Sequence, residues 1–385
     1  MRAGATAPQF APVVRAFHRL VSGGPGGGAL VVRRHGKVVV EVAGGSADRR
    51  GLRPWTHDTL GLSFSTTKGV ASTVIHRLAD RGLIAYDEPV ASYWPEFGAG
   101  GKGQVTVRHL LTHRAGLADV RAVARRAEDI LDHLAMEERL AARAVLTAPT
   151  GRSAYHAFTY GWLLAGLARR VTGRGMDELV RAEVAAPLGT DGMHVGAAGA
   201  PAERIAEPVG SSLRHFGALS LVASPVWTRV SPARDAINAL LPPGFHRLFL
   251  GPRPPIWFTE MPAVNGLFTA DALSRMYAAL GAGGGELLST ARAREIGRVQ
   301  LRTVDAVLGL RMRWRLGYHH AFGGGAPAPL AFGHYGYGGS GGWADPATGL
   351  ALGFVTNRIG SISTPLGDLN LFRLSGLVRR CALEG

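Results

Sequence analysis

Hydrophobic positions change period several times along the chain, and each change predicts a different element. At the amino end Phe10, Val13, Val14, Phe17, Leu20 and Val21 recur three and four residues apart, the spacing of a short amphipathic helix packed on a core. Residues 29–45 read as two β-branched runs around Arg34-His35-Gly36, which is a hairpin signal. Another short apolar run covers 59–64, and at Ser65 the period turns helical, with Val70, Val74 and Leu78 on one stripe and Gly82 at the stop.

From 83 to 261 the pattern is mainly helical, with helices expected in 105–113, 129–146, 161–171 and 176–186. Proline and aromatic residues crowd 201–262, which predicts an irregular region able to cap a site. Helical periods return at 269–281 and 289–299, strand-like runs follow at 308–316, 331–335 and 350–357, and a last helix is expected over 369–378. Strands at both ends with helices between them predict an α/β fold, in which one antiparallel sheet is built from both chain ends and flanked by helices. The expected division is a sheet domain of residues 1–82 and 262–385 and an inserted, mainly helical domain of 83–261, with a cap at 201–261.

Composition narrows the function classes. Cys381 is the single cysteine, so an intramolecular disulfide and a Cys-ligated zinc or iron–sulfur site are excluded and no oxidising compartment is needed. The 43 Lys plus Arg against 28 Asp plus Glu give a net charge of +15, which would suit nucleic acid if it were clustered. The arginines instead come singly or in pairs, such as Arg33-Arg34 and Arg379-Arg380, and no nucleic-acid-binding motif accompanies them. The amino-terminal stretch is broken by Pro8, Pro12, Arg15 and Arg19, unlike a secretory signal, and no window reaches the roughly 18 apolar residues of a membrane span. A cytoplasmic protein that neither binds nucleic acid nor inserts stably into a membrane is expected; the oligomeric state is left open.

Lysine is more informative, because it occurs only at Lys37, Lys68 and Lys102. Lys68 closes Ser65-Thr66-Thr67-Lys68 at the start of the expected helix, where positions i and i+3 share a face and the amine can reach the Ser65 hydroxyl. Serine becomes a nucleophile only when a neighbour takes its proton, and a buried lysine with a lowered pKa can do so. Tyr155-His156 precedes another expected helix, and a tyrosine held near phenolate by a lysine cation is a candidate base. The run Gly333-His334-Tyr335-Gly336-Tyr337-Gly338-Gly339-Ser340-Gly341-Gly342 lets backbone approach a substrate closely, so the Tyr337 N–H could complete an oxyanion hole with the N–H of Ser65.

The three motifs together resemble the serine β-lactamase and penicillin-binding protein superfamily, in particular its class C-like branch, the family VIII carboxylesterases. Ser65-x-x-Lys68 matches the nucleophile motif, Tyr155-His156-Ala157 stands at the Tyr-x-Asn or Tyr-x-Ser position, and His334-Tyr335-Gly336 stands at the Lys-Thr-Gly position. The resemblance extends through 83–90, 105–117 and 265–269. It implies a small-molecule ester as substrate, an acyl-enzyme on Ser65 with Lys68 and Tyr155 relaying protons, and no cofactor or metal. Tyr337, Gly336, His334 and His156 are the expected oxyanion and substrate contacts. Two departures weaken the case for β-lactams or peptides: a largely neutral His334 replaces the carboxylate-binding lysine, and Ala157 lacks a side-chain amide.

Acyl transfer to a metabolite, weak β-lactam hydrolysis and non-catalytic binding of an acyl ligand remain open alternatives. Residues 338–342 also fit G-x-S-x-G and 336–341 fit G-x-G-x-x-G, but both patterns require a strand, a turn and a helix, whereas here a turn at 343–346 leads to another strand. His76, His109 and His113 read as structural because no zinc-ligand spacing joins them. The apolar run 216–227, with Trp257 and Phe258, is expected as an acyl pocket or cap in preference to a lipid-facing surface.

Overall fold

The computed structural model describes residues 6–145, 151–210, 234–240, 242, 244–249, 253–324, 327–359 and 369–384. The strands in chain order are β1 (Gly27–Arg34), β2 (Lys37–Gly45), β3 (Gly61–Leu62), β4 (Met193–Val195), β5 (Gly266–Phe268), β6 (Leu301–Val304), β7 (Arg311–Trp314), β8 (His319–His320), β9 (Phe332–Tyr335), β10 (Gly341–Asp345) and β11 (Leu350–Thr356). Five helices matter below: α1 (Ala11–Ser22), α2 (Thr66–Asp80), α3 (Thr159–Thr172), α4 (Ala270–Gly281) and α5 (Asn370–Leu383).

Both chain ends build one eight-stranded sheet of order β2-β1-β11-β10-β9-β8-β7-β6, with every neighbouring pair antiparallel. Its central strands are buried on both faces. In β1, Leu30 and Val32 join one core with Phe10, Val13, Phe17 and Val21 of the amino-terminal segment and Leu371, Leu374 and Val378 of α5. Ala29 and Val31, on the opposite face by the two-residue period of a strand, join the larger core with Leu273 and Met276 of α4. Burying a side chain such as Phe17 contributes about 1.5–3 kcal/mol, so α1 is fastened by several such contacts.

The run 308–316 was expected as one strand, but only Arg311–Trp314 pairs, flanked by the short β6 and β8. Arg311 and Arg313 point to solvent while Met312 and Trp314 point inward, so this end of the sheet is half exposed and its short partners leave little periodic trace. The expected helix at 176–186 forms as Met176–Leu179 and then widens to a π-helical pitch over Val180–Ala185.

Helix α2 departs from the single apolar stripe its sequence suggests, since it is buried along nearly its whole length. Its polar side chains find tyrosine partners: Ser72 Oγ lies 2.7 Å from Tyr160 Oη, Thr73 Oγ1 2.8 Å from Tyr318 Oη, and His76 Nδ1 2.6 Å from Tyr86 Oη. A central helix locked on all sides gives the residues at its first turn little freedom. The small sheet β3-β5-β4 leads the chain into that turn.

Candidate active site

Ser65 stands at the junction between β3 and α2, immediately after a strained residue. Phe64 has φ +45°, in the left-handed region that costs a non-glycine residue about 1–2 kcal/mol. The conformation is held on several sides. Ser63 N–H donates to Gly266 O at 2.9 Å, Thr67 donates to Phe64 O from its backbone N–H at 3.0 Å and from its hydroxyl at 2.5 Å, and the Phe64 ring stacks on Phe249 at 5.6 Å. The kink at Phe64 turns the chain directly from strand to helix and puts Ser65 at the helix N-cap.

Lys68, one turn later, is completely buried. Its Nζ lies 3.0 Å from Ser65 Oγ, 2.6 Å from Ala157 O and 3.0 Å from Ala263 O, and among the described residues no carboxylate pairs with it. Burial without a counter-charge holds the amine well below the usual lysine range. In the ammonium form the three oxygens take its three N–H groups; in the neutral form two N–H groups serve the carbonyls and the lone pair can face the Ser65 hydroxyl.

Tyr155 completes the group. Lys68 Nζ lies 5.0 Å from the centre of its ring. Desolvation raises the Tyr155 pKa, opposed by a smaller lowering from the Ser65 hydroxyl. Burial thus pushes both groups toward their neutral forms and disfavours the expected pairing of a phenolate with a lysine cation. Proton transfer can then begin with lysine as acceptor and tyrosine as donor.

The glycine-rich segment packs against the first turn of α2. A Cβ on Gly336 would come within 2.2 Å of Ser63 O and one on Gly338 within 2.7 Å of the Phe64 ring, so the backbone at Tyr337 can lie beside Ser65 only with glycine on either side of it. Gly336 N–H donates to Ser340 O at 2.8 Å across the turn from β9 to β10. Strand rather than helix follows, and Ser340 is buried within the sheet, its hydroxyl accepting from Thr356 N–H at 3.1 Å. Both letter-pattern matches in this segment thus fall on a sheet turn.

His334, on β9, is buried with its ring 6.3 Å from that of Tyr155. Its pKa lies well below the usual imidazole range, first through burial and then through His319 and Lys68. Nδ1 meets Tyr335 O at 3.2 Å, which makes it the protonated nitrogen, while Nε2 has no hydrogen-bond partner among the described residues and is an acceptor. A neutral acceptor at this position cannot replace an ammonium group as a carboxylate anchor.

His156 was expected to contact substrate, and the structure corrects this. Its Nδ1 lies 2.6 Å from Ala154 O and its Nε2 accepts the Leu117 N–H at 3.3 Å, so both nitrogens brace the loop. Sequence reading also passed over the aromatic setting of Tyr155. Trp314 stacks parallel to Tyr155 at 5.8 Å and 8°, and His113, itself at φ +59°, meets both rings edge-on at 4.9 and 4.5 Å. Among the described residues no three His, Cys, Asp or Glu side chains gather as a metal site.

An aromatic wall flanks Ser65. Phe64 stacks on Phe249, Phe249 meets Phe245 edge-on at 4.8 Å, and Phe245 meets Phe158 at 4.8 Å. Part of the expected cap, around 245–249, therefore lies against residues adjoining the nucleophile and Ala157. The run 216–227 lies outside the described residues. Of its expected companions, Trp257 is buried and Phe258 is exposed beneath the Arg253 guanidinium.

The chain is similar over nearly its whole length to known proteins. The family model described as Beta-lactamase matches residues 13–369. The esterase/beta-lactamase LipL of Mycobacterium tuberculosis (strain ATCC 25618 / H37Rv) is 43% identical over 392 residues, covering 99% of this chain and 89% of LipL. The crystal structure of a family VIII carboxylesterase superposes with a TM-score of 0.84 at 33% identity, covering 98% of this chain and 99% of the other. A penicillin-binding protein homologue from Caulobacter crescentus superposes with a TM-score of 0.82 at 31% identity, over 98% and 99% of the two chains.

Proposed function

We propose that this chain, which belongs to the beta-lactamase family, is a serine carboxylesterase acting on small-molecule esters through an acyl-enzyme on Ser65. The observation that carries the reading is the placement of Lys68, buried with its Nζ 3.0 Å from Ser65 Oγ and otherwise held by the carbonyl oxygens of Ala157 and Ala263. Ser65 Oγ bonds to the ester carbonyl carbon while its proton passes to Lys68 Nζ. The oxyanion is held by the N–H groups of Ser65 and Tyr337, the first aided by the amino end of α2. When the carbon–alkoxide bond breaks, Tyr155 gives its phenolic proton to the departing oxygen and is reprotonated from Lys68. Water then repeats the sequence in reverse, yielding the carboxylic acid and free Ser65.

Two features support esters over β-lactams as the main substrates. His334 is neutral where the resembling motif has lysine, and the third position of the middle motif offers Lys68 a backbone carbonyl from Ala157 in place of an amide side chain. The aromatic wall beside Ser65 suits an apolar acyl chain. The buried thiol of Cys381 fits the cytoplasm, and among the described residues no helix is long and apolar enough to cross a membrane.

The test is hydrolysis of p-nitrophenyl esters from two to twelve carbons by the wild type and Ser65→Ala. Ester turnover that vanishes with Ser65 supports the reading, whereas turnover unaffected by the substitution contradicts it.

A further inference from the structure

Tyr155 is oriented from a distance of 150 residues by a carboxylate. Asp305 follows β6 and is completely buried, and no basic side chain pairs with it among the described residues. Four hydrogen bonds satisfy it instead. Ser153 Oγ donates to Oδ2 at 2.6 Å, and the N–H groups of Tyr155, Val307 and Leu308 donate to Oδ1 at 3.0, 3.0 and 3.1 Å. Ala306 N–H adds a bond to Ser153 O at 2.9 Å, so the 305–310 turn and the segment entering Tyr155 are stitched in both directions.

Ser153 links this turn to the ring stack. Its hydroxyl gives its proton to Asp305 and accepts the indole N–H of Trp314 at 2.9 Å, and Trp314 is the residue lying parallel to the Tyr155 ring. The phenol is thereby fixed at its backbone and at one ring face, with Lys68 above the ring and His113 at its edge. Burying a carboxylate away from any cation is costly even when hydrogen-bonded. Here the carboxylate can accept a hydroxyl and a backbone N–H at one end of the segment that carries the phenol.

We propose that Asp305 is a positioning residue for Tyr155, acting through Ser153 and the Tyr155 N–H to hold the phenol against Trp314 at the angle from which it protonates the departing alcohol. The inference rests on the proton-relay role given to Tyr155 above. An alkoxide needs that proton to leave, whereas p-nitrophenolate leaves unaided, so misplacing the phenol penalises alkyl esters selectively.

The experiment compares kcat/KM, which reports acylation, for an alkyl and a p-nitrophenyl ester of one acid in the wild type, Tyr155→Phe, Asp305→Asn and the gentler Ser153→Ala. Active sites are counted by stoichiometric labelling with a phosphonate, so misfolded enzyme does not contribute. Tyr155→Phe is expected to lose about tenfold or more beyond its p-nitrophenyl loss on the alkyl ester, and the other two variants about 3- to 10-fold in the same direction. Equal losses on both esters in Asp305→Asn and Ser153→Ala, with Tyr155→Phe still selective, would overturn the positioning role alone. Absence of selectivity in Tyr155→Phe would remove proton donation by Tyr155 and both readings with it.

Discussion

Lys68 Nζ lies 3.0 Å from Ser65 Oγ, and its other hydrogen bonds among the described residues go to the carbonyl oxygens of Ala157 and Ala263. An amine so placed is a base only while neutral. Activity should therefore be present above the lowered pKa of Lys68 and be lost as pH falls through it. Lys68→Arg keeps a cation but loses the titratable amine, since a guanidinium stays protonated. It should lose about 10²–10⁴-fold in kcat/KM, as Lys68→Ala should. A pH–rate profile of the wild type, with single-pH rates for both variants, checks this; wild-type rates in either variant would remove Lys68 from the reaction.

Gly336 makes a steric prediction. With a Cβ 2.2 Å from Ser63 O, Gly336→Ala must displace the end of β9 from the turn that carries Ser65. The cost should be about 1–3 kcal/mol of stability from overpacking, with a larger proportional loss of kcat than of folded protein. Thermal melting beside kcat per labelled active site separates the two. A melting temperature and kcat equal to the wild type would show that the oxyanion segment does not need this close approach.

Much of the site was legible because its chemistry is local. Ser65 and Lys68 are one helical turn apart, and the glycines around Tyr337 betray a backbone that tolerates no side chains. The missed parts depend on partners without a sequence signature. Any residue can offer the carbonyls of Ala157 and Ala263, Phe is an improbable occupant of the φ +45° position at 64, and Asp305 reaches Tyr155 across 150 residues. His156 suggested a substrate contact because it adjoins Tyr155, but its Nε2 is taken by a backbone N–H 39 residues away. At the level of the fold, hairpin β1–β2 and α1 were readable from their periods, whereas β6 and β8 were too short to show one.

Phe249 brings the cap region against the nucleophile turn, its ring 5.6 Å from that of Phe64. Phe249→Ala should shift the preferred p-nitrophenyl ester toward longer chains by about two carbons, because the removed ring leaves space close to three or four methylene groups wide. The chain-length series used for the wild type measures it. An unchanged optimum would place the acyl pocket elsewhere.

His334 offers a lone pair where a carboxylate binder would need a cation. A chromogenic cephalosporin should therefore be turned over about 10²-fold or more below the best ester in kcat/KM, the scale of discrimination a mismatched polar site provides. Comparable rates on the two substrates would show that the absent ammonium group is replaced by something other than His334.

The central claim is that Ser65 carries the acyl group. Wild-type enzyme quenched during turnover of a slowly deacylating ester, digested and mapped by mass spectrometry should carry the acyl mass on the peptide containing Ser65, with no adduct in Ser65→Ala. An adduct mapped to Ser340 or any other side chain, or rapid turnover with no covalent intermediate under conditions that trap one in a reference esterase, would contradict the account.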